Sequence, residues 1–158
     1  MKKFVFTLLL VFVCHLGYAQ GINGLFNEFG SEKNADCVKV SSFMMSLGKM
    51  FAGHDEDAKI IRKIKSIKVL DLESCTASVK ERFNKKVNKL NLKGYDELMR
   101  VNDEGEKVRV LMKTKKETIR ELLFVCTGKE DCTLVQINGK FTKDDIDKLV
   151  NQETGKKQ

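Results

Sequence analysis

Three segments decide the fold: Lys107-Val108-Arg109-Val110-Leu111-Met112, then Ile119-Arg120-Glu121-Leu122-Leu123-Phe124-Val125-Cys126, then Thr133-Leu134-Val135-Gln136-Ile137-Asn138. In the first, Val108, Val110 and Met112 alternate with Lys107, Arg109 and Lys113, the two-residue period of a half-buried strand. The second and third continue the series of strands. Between them, Thr127-Gly128-Lys129-Glu130-Asp131 is a polar connection, and Asn138-Gly139 ends the series. Upstream, Tyr95 to Val101 reads as a further strand, closed by the hairpin loop Asn102-Asp103-Glu104-Gly105-Glu106. Such short links make successive strands antiparallel neighbours, so residues 95–138 form a four-strand meander.

Toward the N-terminus the period changes. Ile22, Leu25, Phe26 and Phe29 form the apolar stripe of a short helix. Cys37-Val38-Lys39-Val40-Ser41 alternates as a short strand. Ser42 can cap a helix from Phe43 to about Ala52, on which Phe43, Met44, Leu47, Met50 and Phe51 share one arc. Gly53 to Asp57 is polar, Ala58 to Arg62 a helical turn, and Ile64 to Leu72 ends in a β-like run. Ser74 can cap a helix to Leu90 with Cys75, Val79, Phe83, Val87 and Leu90 inward and Lys80, Glu81, Lys85 and Lys89 in water. After the meander, Thr142 and Asp145 sit at capping-box spacing ahead of Ile146, Leu149 and Val150. The expected class is α+β: an antiparallel sheet, the meander plus one or two N-terminal strands, with helices on one face.

The first residues read as a leader rather than as fold. Lys2 and Lys3 precede an apolar run from Phe4 to Leu16, and Gly17-Tyr18-Ala19 supplies small residues for a signal peptidase. Cleavage is expected between Ala19 and Gln20. The alternative is lipid attachment at Cys14, but Phe12 and Val13 stand where such signals carry small residues. The apolar run falls short of the roughly 20 residues that span a bilayer. Residues 20–150 then form one α+β domain and 151–158 a polar tail. The expected compartment is the periplasm or the exterior, with no transmembrane helix after cleavage and a lipid-anchored outer-membrane form as the alternative.

Loss of Lys2 and Lys3 lowers the net charge from +7 to +5. Acidic and basic residues interleave along the chain, which reads as a solvated surface rather than a patch for anionic lipid or polysaccharide. The one tight cluster is Lys113, Lys115 and Lys116, in a strand-to-strand turn. Of the five cysteines, Cys14 belongs to the leader. An even remainder in an exported chain suggests disulfides. Cys126 and Cys132 flank one hairpin loop, where opposed residues lie about 4.5–5.5 Å apart, within bridging range. That pair is the first expectation, and Cys37 with Cys75 the second. The alternative is buried thiols that pack as small hydrophobes.

The chemistry carried by motifs is sparse. His54 is the single histidine beyond the leader, which leaves no paired-histidine metal site and at most one histidine base. No nucleophile elbow, phosphate loop or dinucleotide fingerprint occurs. His54-Asp55-Glu56-Asp57 lacks calcium-loop spacing and reads as a solvated turn. Nucleic-acid binding is not expected, because tryptophan is absent and Tyr95 is the only tyrosine outside the leader. No catalytic residue, cofactor or metal is expected. The leading expectation is a non-enzymatic envelope protein that binds another protein through its sheet or the stripe Phe43, Met44, Leu47, Met50 and Phe51, a stripe that also suits the core. A carrier of a small apolar ligand between sheet and helices is the alternative. A hydrolase using carboxylates brought together by folding is the third possibility.

Gly94-Tyr95-Asp96-Glu97-Leu98-Met99-Arg100-Val101, Ile119 to Val125, and Ile137-Asn138-Gly139-Lys140-Phe141 resemble, in order and spacing, successive blocks of the domain-of-unknown-function 4252 family. The leader, the short amphipathic helix and Val38-Lys39-Val40-Ser41 agree with it, so the resemblance covers nearly all of the chain beyond the leader. It implies an exported protein of a Gram-negative bacterium. Many members resemble lipoproteins, and the context of Cys14 departs from that pattern. The family implies no activity, and no functional residue is carried over.

Overall fold

The computed structural model describes residues 21–51 and 56–148. The leader with Cys14, Ala19 and Gln20, residues His54 and Asp55, and the tail lie outside them. The chain runs α1 (Ile22–Phe29), β1 (Asp36–Val40), α2 (Ser42–Phe51), α3 (Glu56–Lys63), β2 (Ile64–Asp71), α4 (Ala77–Asn88), β3 (Asp96–Asp103), β4 (Glu106–Lys115), β5 (Thr118–Thr127) and β6 (Thr133–Phe141). A closing helix occupies 143–148.

All six strands form one antiparallel sheet in the order β1-β2-β6-β5-β4-β3. The meander β3 to β6 is as the alternation dictates, and β2 joins it along β6. Glu104 and Gly105 form the two-residue β3–β4 turn, both at positive φ (45° and 93°), the conformation that matches the strand twist. Four register shifts, between Ile64 and Ser66, Glu97 and Met99, Lys113 and Thr114, and Ile119 and Glu121, all fall toward the same end of the sheet.

Helices cover both faces of the sheet, not one. Leu111, Leu123, Val125, Leu134 and Leu70 point to the face closed by α1 and α4. There Phe26, Phe29 and Phe83 are sealed from water, with Phe29 and Phe83 edge to face at 5.4 Å. Met112, Leu122 and Ile137 point the other way, into a smaller cluster with Ile119, Phe141, Ile60 of α3 and Ile146 of the closing helix. Adjacent residues such as Leu122 and Leu123 serve opposite cores, which a continuous apolar run conceals.

Caps shift slightly from expectation. The Thr142–Asp145 box is formed: Thr142 N–H donates to Asp145 Oδ2 at 2.7 Å and Asp145 N–H to Thr142 Oγ1 at 3.3 Å. The α2 cap is Ser41, whose Oγ accepts Met44 N–H at 3.5 Å. Thr76, not Ser74, precedes α4, and its carbonyl accepts the N–H groups of Val79 and Lys80. Lys80 is buried rather than in water.

Candidate functional site

Cross-strand register places six apolar residues in one line: Val38, Val69, Val135, Phe124, Val110 and Met99. The line crosses every strand, a span of about 24 Å at the usual strand spacing. It lies on the face of the smaller core, one row away from Ile67, Ile137, Leu122 and Met112. In that row Leu122 is buried and Met112 and Ile137 are partly covered by the smaller core; in the line Val110 is buried and Val69 and Val135 are half-buried, while the other three are open. Val38 is 55% exposed, Met99 49% and Phe124 37%. The β3 bulge sets Leu98 and Met99 together against Val110, and Leu98 and Val101 are also exposed. On the side away from the helices the face is bordered by Asp36, opposed to Asp71, and by Asp103 beyond Val101.

The position of this surface is physically unusual. Burying a Val, Leu, Phe or Met side chain is worth about 1.5–3 kcal/mol, yet Val38, Leu98, Met99, Val101 and Phe124 stay exposed on a sheet whose opposite face is closed. Contiguous apolar patches rimmed by polar residues mark interaction sites. Phe43 and Met44, the first two residues of the α2 stripe, are 71% and 59% exposed. The side chains of Leu47, Met50 and Phe51 lie outside the described ones. Sequence reading located the α2 stripe and missed the sheet line. Each strand's alternation was visible, but the line exists only once register is fixed.

The expected bridges are absent. Cys37, Cys75, Cys126 and Cys132 are free thiols. The residue opposite Cys126 is Thr133, so Cys132 stands one place out of register and faces the larger core while Cys126 faces the other side. Cys132 Sγ donates to Asn84 Oδ1 at 3.3 Å and Gly128 O at 3.4 Å. Cys75 Sγ donates to Lys33 O at 3.5 Å, and Cys37 packs at the edge of the same core. Burial pushes the thiols of Cys75, Cys126 and Cys132 up, which makes them poor nucleophiles at neutral pH.

Carboxylates meet cations more than one another. Hydrogen bonds from Arg100 and Arg109 hold Glu97 at about 2. Glu121 Oε1 accepts the Tyr95 hydroxyl at 2.6 Å and Gln136 Nε2 at 2.7 Å, and burial together with that bond raises the Tyr95 phenol. A cleft of about 410 Å³ between α3 and the closing helix is lined by Lys59, Ile60, Arg62, Lys63, Asp145 and Lys148. In it, burial opposes ionisation of Asp145, but Lys63 Nζ at 2.6 Å and the Thr142 groups outweigh it and hold its pKa below the usual value. Among the described residues no group of three His, Cys, Asp or Glu is set to hold a metal, and no helix is long and apolar enough to cross a membrane.

The model of the family described as Domain of unknown function (DUF4252) matches residues 29–149. The chain belongs to the DUF4252 family. The matched span begins at the last residue of α1 and takes in all six strands, so the apolar line lies wholly inside the DUF4252 domain. No curated protein and no solved structure matches the chain.

Proposed function

We propose that this DUF4252 protein is exported by its leader and works in the envelope without chemistry of its own, as a module that docks a partner on the open sheet face. The observation that carries the reading is the line from Val38 to Met99, apolar on all six strands and exposed at Val38, Phe124 and Met99, with Leu98 and Val101 exposed beside it. Its length and its acidic border at Asp36, Asp71 and Asp103 suit an amphipathic partner segment with cationic residues along one flank. A helix about 16 residues long matches the span at 1.5 Å per residue.

The test uses two synthetic helices with identical apolar faces, one flanked by lysine and one by glutamate. Saturable binding of the lysine helix, at least tenfold weaker binding of the glutamate helix, and loss of both in Phe124→Asp support the reading. Binding that survives Phe124→Asp, or no binding of either helix, refutes it. Binding of a fatty acid with no binding of either helix favours the apolar-ligand carrier instead. For the export reading, intact mass of the protein from the envelope should begin at Gln20; a lipidated form beginning at Cys14 would overturn that cleavage site.

A further inference from the structure

Charges that interleave in the sequence are sorted by the fold. In an antiparallel sheet every connection lies at one of two ends. One end collects the start of β1, the β3–β4 turn and the β5–β6 loop, with Asp36, Asp103, Glu104, Glu130 and Asp131 exposed. Lys33, Lys107 and Lys129 offset them only in part. The opposite end collects the α3–β2 junction, the β4–β5 turn and the end of β6, with Lys65, Lys115, Lys116, Lys140 and Lys143 exposed. None of these five takes part in the ion pairs between described residues. The cleft lined by Lys59, Arg62, Lys63 and Lys148 lies at the same end, with Lys63 paired to Asp145. Asp96, Glu117, Asp144 and Asp147 lie there too, and Glu56 and Asp57 begin α3, together still fewer than the cations around them.

We propose that this basic end is a docking surface for an anionic bilayer, which it meets through phospholipid phosphates with the strands directed away from the membrane. Two features favour this over a solvated surface. The cations come from three separate connections on the four adjacent strands β2, β6, β5 and β4, so they form a front about 14 Å wide rather than a single lysine-rich turn. The opposite end carries the other sign, so the molecule has a charge dipole along its strands that an anionic surface would orient. A bilayer is favoured over nucleic acid because lysines drawn from three connections make a broad front suited to an extended anionic surface, and the exposed Phe43 and Met44 that follow β1 at the same end are apolar groups a bilayer interface accepts. The proposal does not depend on what the apolar face binds.

The experiment is co-sedimentation of the protein, purified from cells with its N-terminus identified by mass, with vesicles of phosphatidylcholine alone or with one third phosphatidylglycerol. The expected result is binding to the anionic vesicles only, lost at high salt. Each lysine neutralised near such a surface lowers partition about fivefold, so Lys115→Gln/Lys140→Gln/Lys143→Gln together should lower it about a hundredfold. Glu104→Gln/Glu130→Gln/Asp131→Asn at the far end should leave it intact. Circular dichroism of each variant confirms the fold. Equal partition onto neutral vesicles, undiminished binding by the triple lysine variant, or equally tight binding of a short DNA duplex at the same salt would overturn the proposal.

Discussion

Phe83 and Phe124 give the most direct check on whether the sheet line is open. Phe83 is sealed within the larger core and stands edge to face with Phe29 at 5.4 Å. Its replacement by alanine removes the whole ring from a packed site and leaves a cavity, a loss of about 3–5 kcal/mol. Phe124 is 37% exposed, with Val110 and Val135 beside it. Somewhat under two thirds of its burial is at stake, and its outer side leaves no closed cavity, so Phe124→Ala should cost about 1–2 kcal/mol. Urea unfolding followed by circular dichroism measures both, with equal slopes expected because neither change alters the surface exposed on unfolding. A gap of about 1–4 kcal/mol between the two variants is expected. If Phe124→Ala costs as much as Phe83→Ala, the line is covered in the free protein and the docking reading fails with it.

Alkylation of unreduced protein in denaturant should modify Cys37, Cys75, Cys126 and Cys132 alike, and protection of Cys126 with Cys132 would show that the alternation across β5 and β6 has been misread. A Cβ at Gly139 would sit 2.5 Å from the Phe141 ring and 2.7 Å from the Lys63 carbonyl oxygen, so Gly139→Ala should destabilise by about 1–3 kcal/mol in the same urea titration. Asp145 is held below the ordinary carboxyl pKa, so as acid is added the unfolded chain takes up the proton first. Its contribution is therefore present at neutral pH and lost as pH falls through the folded value. Asp145→Asn should cost about 1 kcal/mol at pH 7 and flatten the decline of stability below pH 4, as thermal melts across that range would report.

The sequence discloses the strands well and their partnership poorly. Val108, Val110 and Met112 alternate cleanly, and β4 follows them. Ile119 and Leu122 do not: three residues apart, they should face opposite sides, yet both enter the smaller core. The bulge between Ile119 and Glu121 supplies the extra residue that turns them to one face. No composition signal marks it. The same limit bears on the cysteines, because loop length places Cys126 and Cys132 near each other while the register opposes Cys126 to Thr133, one residue past Cys132. The helix stripes of α1 and α4 were legible because a helix's burial is set by its own period, whereas a strand's is shared with its neighbours.

Both proposed surfaces follow from that shared register. The four bulges lie toward the lysine-rich end, where α3 and the closing helix also sit; the pairing runs without interruption from Val38 to Val110, and the β3 bulge then sets Leu98 beside Met99 at the end of the line. A regular stretch of sheet is what lines up one apolar residue per strand, and helices joined at the lysine-rich end are what leave Val38, Phe124 and Met99 open. Docking by lysines at the covered end would leave the open line beyond the membrane surface, available to a partner approaching from its acidic border. The two surfaces therefore make separable demands: glutamine at Lys115, Lys140 and Lys143 should release the protein from anionic vesicles while it still binds a lysine-flanked helix, and Phe124→Asp should do the reverse. Loss of both activities in either variant would mean that the surfaces are one site, and the division of the sheet into a membrane end and a partner face would be wrong.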